Sequence, residues 1–401
     1  MNNLDTTGPS ESASIWLDAL RGIAALGVFA SHWRDCLFKD YSQVQTHNPL
    51  LTAAYLVSGL GHQWVIVFFV LSGYLVGGSV LRQASQGRWS WGDYLLNRLT
   101  RLYVVLIPAL LLGGLIDLIG LHFFAASDVY TAHHGMRLMV HGPGSQVTLR
   151  ILLGNYVFLQ GILVPVFGTN GPLWSLSYEF WYYITFPLLF LTFWKHSRPR
   201  NRVLGLIALF AVFGLVGWKI ALMGIIWLMG VGIHWLPAVR PSSQFQRIAA
   251  LASAIAATCG CLVWCKQAKS PASDYVLGVI IALFVYCLLY FTRSSNLGWA
   301  RGFIKHSANS SYTLYLVHLP LLILVTAWIG QPRWEPNGVA LFYAALVFFG
   351  VLSYAQILYL MFEKHTDSLR RWLKSSVLKR APKRERLVSA EMAELTSPLA
   401  R

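Results

Sequence analysis

Long apolar runs recur along the chain, separated by short polar or basic stretches. A helix crossing a hydrocarbon core of about 30 Å needs roughly 20 mostly apolar residues. Ten stretches meet that need, near 15–34, 54–81, 102–121, 173–194, 203–218, 220–237, 248–265, 275–292, 311–329 and 338–361. The pattern predicts an all-α polytopic membrane protein with ten transmembrane helices. Residues 1–14 are polar, lack a basic n-region and precede an apolar run with no small-x-small exit site, so they are expected to be a cytoplasmic tail, not a cleaved signal. With no Pro-, Gly- or Ser-rich linker to divide it, 15–363 is expected to form one membrane domain, followed by a basic cytoplasmic tail over 364–401. In that tail Leu369, Trp372, Leu373 and Val377 follow helical spacing beside Arg370, Arg371 and Lys374, which suits a segment lying along anionic lipid; a disordered basic tail is the plainer alternative.

Composition narrows the class. Of 401 residues 56% are hydrophobic and 12% charged, about half the charged share of a soluble domain, which is roughly 25%. Such a chain cannot clothe its surface in polar groups, which excludes an ordinary soluble enzyme, a disordered scaffold and a disulfide-stapled module. The net charge of +16 does not point to nucleic acid, because the basic residues sit between apolar runs instead of on one soluble face. They report orientation. With both termini cytoplasmic, Arg82, Arg88, Arg98 and Arg101, then Lys195 to Arg202, then Arg240, Arg247, Arg293, Arg301, Lys305 and the tail all fall inside, leaving a minority outside. A crossing at 150–168 would reverse that bias, and Gly154, Asn155, Gln160, Gly161 and Pro165 would disrupt a lipid-facing helix there. That run is expected to be an outer re-entrant or interfacial segment packed on protein. The five Cys lie mostly in apolar segments and are expected to be buried free thiols.

Ionisable side chains inside spans are costly, so each is a candidate for function. Arg21 and His32 of the first helix are eleven residues apart, about three turns, and so share a face roughly 16 Å apart along the axis. One helix face thus offers a fixed cation near the cytoplasm and a titratable imidazole near the outside. The plainer reading has Arg21 snorkelling to headgroups and His32 capping the helix. The run LWSLSYEFWYY (173–183) enters from outside and puts Glu179 about 7 Å below Trp174, a depth expected to match that of His32. A carboxylate beside an imidazole raises its basicity, as general-base work requires, although a polar pair that only locks helix packing would look the same. Arg98 and Arg101, one turn apart, suit a phosphate grip or ordinary anchoring at the inner surface. The small residues of FFVLSGYLVGG (68–78) read first as a packing seam. His318 is expected in the inner half of its helix, away from His32. His133, His134 and His141 lack a third ligand at metal spacing, so no metal site is expected, and the chain carries no nucleotide-binding or zinc-protease motif.

In order along the chain, LDALRGIAALGVFASH (17–32), FFVLSGY (68–74), RLTRLYVVLIP (98–108), LWSLSYEFWYY (173–183), SYTLYLVH (311–318) and FEK (362–364) resemble the membrane acyltransferase type 3 family, which O-acylates sugars and other acceptors. The resemblance implies ten helices, an acyl-CoA donor (acetyl-CoA in the simplest case) and essential Arg, His and Glu residues, carried here onto Arg21, His32 and Glu179. Asn97 stands before Arg98 where relatives often have a second Arg, which alters the expected phosphate grip. On this expectation the donor's phosphates lie by Arg21, Arg98 and Arg101, and its thioester lies by His32. His32 then serves as general base or transient acyl carrier toward a hydroxyl of an extracytoplasmic carbohydrate or glycoconjugate. Expected partners are that acceptor and membrane lipids, without nucleic acid, in a multi-pass inner or plasma membrane. The competing class is a proton-coupled transporter of a small acid or sugar, which predicts an inverted repeat with broken helices in both halves. No such repeat is visible in the sequence, and thioester consumption separates the two classes.

Overall fold

The computed structural model describes residues 11–131, 143–194, 197–239, 241–268, 270–292, 298–330 and 332–380. Among these the regular elements are helices: α1 (Glu11–Leu37), α2 (Pro49–Ser58), α3 (Gly61–Ser85), α4 (Trp91–Phe123), α5 (Leu149–Tyr156), α6 (Leu173–Phe193), α7 (Pro199–Gly232), α8 (Gln244–Ala268), α9 (Pro271–Phe291), α10 (Gly298–Ile329), α11 (Gly338–Met361) and α12 (Thr366–Arg380). The starts are written locally: Asn48, Ser90, Thr148, Ser270 and Asn337 each accept a hydrogen bond from an otherwise orphaned backbone N–H in the first turn. Pro49, Pro199 and Pro271 open their helices where no N–H is needed.

Among the described residues 8 helices are long and apolar enough to cross a membrane: α1, α3, α4, α7, α8, α9, α10 and α11. Their outward faces expose large side chains such as Leu111, Phe210 and Phe349, as a lipid-facing surface does. The 21-residue α6 is not among the eight because its Ser, Tyr, Trp and Glu residues lower its hydropathy. Gly217, at φ 75 and ψ 173, breaks α7 in two. The halves run in opposite directions along α6. Gly205 lies against Thr192, the Tyr182 hydroxyl donates to the Ile220 carbonyl (2.8 Å), and Trp227 then packs back on Phe186. This reversal at a positive-φ glycine separates the segments expected at 203–218 and 220–237.

Contacts also sort the helix ends. At one end Arg333 pairs with Asp40 (3.1 Å), Lys266 Nζ donates to the Tyr55 carbonyl (2.7 Å), and His62 meets Asp274 (2.9 Å). At the other, Asp18 and Arg21 of α1 lie by the first turns of α10, and Arg101 approaches Glu363, just past α11 (3.8 Å). Lys374 of α12 pairs with Asp93 at the start of α4 (2.8 Å), holding this basic helix at the same end.

The stretch expected as re-entrant is short α5 followed by irregular backbone. Phe158, Gly161 and Gly168 take positive φ there, and protein covers its polar groups. Asn155 donates to the Pro165 carbonyl and accepts from the Phe167 amide, and Gln160 donates to the Leu173 carbonyl. Asp117 of α4 accepts from both the amide and the hydroxyl of Thr169 (2.8 and 2.6 Å). Non-helical backbone survives among apolar helices only with such internal partners.

Of the glycines in 68–78, Gly73 is tightest. Residues 73–77 form a π-helical turn, and a Cβ on Gly73 would strike the Trp227 carbonyl of α7. The packing-seam reading holds for it. The cysteines are less uniform than expected: all five are free and Cys36 and Cys265 are buried, but Cys259 is exposed on the apolar surface of α8. His133, His134, His141 and residues 381–401 of the tail lie outside the described residues.

Two measurements test this packing. Single cysteines at Lys266 and Arg333, in a background without the native thiols, should be labelled from the same side of the membrane, and a cysteine at Asp93 from the opposite side. Gly73→Val should lower stability in detergent by about 1–3 kcal/mol or more through overpacking, whereas the same change at Gly350, which has open space around it, should be nearly silent.

Candidate active site

The centre of the bundle is built on α1 and α10, which pack on each other more extensively than any other pair of helices. Arg21 is fixed there on two sides: Nη2 pairs with Asp18 Oδ1 one turn back (3.1 Å), and Nε donates to the Ala308 carbonyl of α10 (3.2 Å). The rest of its guanidinium lines a cleft of about 670 Å³, open mouth included. Arg101 of α4 and Glu179 of α6 line the same cleft, with the phenols of Tyr183, Tyr312 and Tyr315 and an apolar wall including Val65, Phe68 and Leu176. Two guanidiniums and one carboxylate thus share the cleft wall, with Asp18 beside Arg21 and Glu363 beside Arg101.

Neighbours fix each of these groups. Glu179 Oε1 accepts from the Ser72 hydroxyl (2.8 Å) and the Tyr183 hydroxyl (2.5 Å), and Ser72 in turn accepts from Trp227 Nε1 (3.1 Å). Arg101 stands over the ring of Tyr312 at 6.0 Å and faces Glu363, whose other oxygen accepts from the amide and hydroxyl of Thr313 (3.1 and 2.6 Å). Arg98 is packed by the rings of Tyr94 and Tyr183 (5.7 and 5.9 Å) and is not part of the cleft lining. Of the two arginines expected to act together, the structure brings only Arg101 to Arg21.

His32, three turns along α1 from Arg21, is also not part of the lining. Its Nδ1 lies 2.8 Å from Nε2 of His318 on α10, and His318 Nδ1 lies 2.8 Å from the Leu314 carbonyl. The two rings are within 16° of parallel with centroids 5.1 Å apart. Nitrogens at 2.8 Å are too close for stacked faces, so the rings meet edge to edge in nearly one plane, as an N–H···N hydrogen bond requires. His318 is fully buried, against Phe29 and Tyr315.

Two expectations are corrected. Glu179 does not hold the His32 imidazole: its carboxylate is bound to Ser72 and Tyr183 and faces the cleft shared with Arg21. Equal depth for Glu179 and His32 requires α6 to enter from the membrane surface. Instead α6 starts beneath the irregular segment, with Leu173, Ser175 and Leu176 already buried. His318 is not remote from His32 but bonded to it. Its helix begins at Gly298, well before the expected 311, so position 318 lies farther along the bundle. The apolar window could not reveal that start, because 298–310 is polar enough to read as a connection. Among the described residues no three His, Cys, Asp or Glu side chains gather as metal ligands do.

A family model described as an acyltransferase domain, Acyl_transf_3, matches residues 14–356. The chain belongs to the type 3 acyltransferase family. With its apolar helices, this membership makes it an integral membrane protein. Similar curated proteins include an uncharacterized protein of Haemophilus influenzae (26% identical over 153 residues, 37% of this chain and 57% of that one) and acyltransferase MdmB of Streptomyces mycarofaciens (29% over 174 residues, 43% and 38%). A third is an O-acetyl transferase of Shigella phage Sf6 (26% over 172 residues, 42% and 43%). The chain therefore covers less than two thirds of the length of each of these relatives. No solved structure matches.

The cleft assignment has a direct check. Arg101→Ala should weaken protection of the cleft by an added polyanion such as coenzyme A, read as thermal stabilisation in detergent, and Arg98→Ala should weaken it less.

Proposed function

We propose that the protein transfers an acyl group, acetyl in the simplest case, from cytoplasmic acyl-CoA to a hydroxyl of an extracytoplasmic carbohydrate or glycoconjugate. The observation that carries this reading is α1 itself, which holds Arg21 in a cleft shared with Arg101 and, about three turns on, presents His32 with an ordered imidazole. Family membership and the printed names of two relatives, an acyltransferase and an O-acetyl transferase, favour the same chemistry. With both termini cytoplasmic and ten crossings, α6 and the two halves of α7 among them, the cleft end faces the compartment where acyl-CoA is made. The membrane is then the inner or plasma membrane.

In this reading the donor's phosphates are held by Arg21 and Arg101, and its arm runs along α1 toward His32. Glu179 belongs to the donor cleft, where it orders Tyr183 and Ser72, and not to the imidazole. His32 takes the proton of the acceptor hydroxyl as that oxygen attacks the thioester carbonyl. The C–O bond forms, the C–S bond breaks, and the thiolate leaves as the thiol with the proton that His32 returns. Burial of His318 and the apolar side chains around the pair keep competing water away from the thioester.

The test uses purified protein, an acyl-CoA and a soluble glycan acceptor, with thioester consumption and ester formation measured together. His32→Ala and His32→Asn should bind donor yet lose transfer by about 10²–10⁴-fold. Arg21→Ala should raise the apparent KM for donor, with Arg21→Lys retaining part of the affinity because charge survives without the fork. Glu179→Gln should shift donor KM more than turnover. Near-normal turnover in both His32 variants would eliminate the mechanism, and substrate movement without thioester consumption would favour a transporter.

A further inference from the structure

We infer that His318 is a positioning residue that sets which nitrogen of His32 is reactive: it holds the His32 proton on Nδ1 and leaves Nε2 as the lone-pair nitrogen that meets substrate. The inference rests on the proposed acyl transfer and adds the origin of the basic nitrogen. The Leu314 carbonyl can only accept. With His318 Nδ1 at 2.8 Å, that nitrogen carries the proton. A neutral imidazole has one N–H, so His318 Nε2 is the acceptor. His32 Nδ1, 2.8 Å away and nearly in the plane of the ring, must then be the donor. The remaining lone pair of His32 is on Nε2, which makes no hydrogen bond among the described residues. Polarity runs one way along the chain of bonds because a backbone carbonyl terminates it.

The geometry needs no carboxylate. When Nε2 gains the acceptor's proton, the His32 Nδ1–H still donates to His318, and the Leu314 carbonyl polarises the second ring in the direction that stabilises the new cation. A carboxylate in that place would bind the cation more firmly and hold back the proton that the leaving thiolate needs. His318 is fully buried between Phe29 and Tyr315, so packing fixes the ring against flipping. It is bonded to His32 and is not itself part of the cleft lining, and therefore acts through His32.

The experiment compares His318→Leu, which removes the acceptor, with His318→Gln, which can place an amide oxygen where Nε2 stands. Both are assayed with acyl-CoA and a glycan acceptor, beside His32→Ala. His318→Leu should lower kcat by about 10²-fold with donor KM within a few-fold, and His318→Gln should recover at least a tenth of wild-type kcat. In protein labelled with ¹⁵N-histidine, and assigned by difference from His32→Asn, His32 should be protonated at Nδ1 in the wild type and lose that preference in His318→Leu. A wild-type spectrum with the His32 proton on Nε2 overturns the inference even if His318→Leu fails to fold. So does wild-type kcat in folded His318→Leu. Should His32→Ala itself retain transfer, the proposed role of His32 falls instead, a result distinct from either.

Discussion

Every polar group placed among the apolar helices must find its partner inside the protein, because neither lipid nor apolar side chains supply one. That constraint ties α1 to α10. Arg21 needs Asp18 and the Ala308 carbonyl, and His32 needs His318, so two polar attachments at different depths fix the register of the two helices. The same requirement recurs outward. Glu179 binds α6 to α3 through Ser72, and Ser72 binds α7 through Trp227. Glu363, through Thr313, binds the end of α11 to α10. The bundle is held in one arrangement by polar pairs, each spanning two helices.

The irregular segment between α5 and α6 shows what this allows. Its amides and carbonyls are covered by Asn155, Gln160 and Asp117, so the chain can turn back within the apolar zone and start α6 from an already buried position. Asn170, beside Asp117's partner Thr169, donates to the Leu316 carbonyl of α10 (2.8 Å), close in sequence to His318. The segment thus supports the helix that carries the second histidine and sets the depth of Glu179. A loop in the sequence becomes a structural floor for the site.

The division between cleft and histidine pair has a chemical consequence. Charge is concentrated at the end lined by Arg21, Arg101 and Glu179, whereas His32 and His318 lie among aromatic and aliphatic side chains with no carboxylate bonded to them. A long anionic donor can be gripped by its charged end while its reactive end reaches a dry, weakly polar place. In the proposed reading an imidazole works there without a fixed charge that would hold the proton. The cost of burying a cation is met at Arg21 by Asp18 one turn back and by the Ala308 carbonyl of α10.

The sequence by itself determined the class of the protein, the apolar helices and the candidates Arg21, His32 and Glu179, because hydropathy and helical periodicity are local and buried charges stand out against an apolar background. It also disqualified 150–168 as a lipid-facing helix, since Gly, Asn, Gln and Pro disrupt such a helix wherever it lies. Partnership was not legible. Glu179 and His32 were matched by counting depth from a presumed surface, but α6 starts inside the fold, and no local signal shows where a buried helix begins. His318 looked remote because the polar first turns of α10 hid the true start of its helix. Which imidazole meets which, and whether Arg98 or Arg101 enters the cleft, depend on helix rotation and relative height. Only the packing of α1, α4, α6 and α10 against one another decides those, because side chains far apart in sequence become neighbours only once the helices are packed.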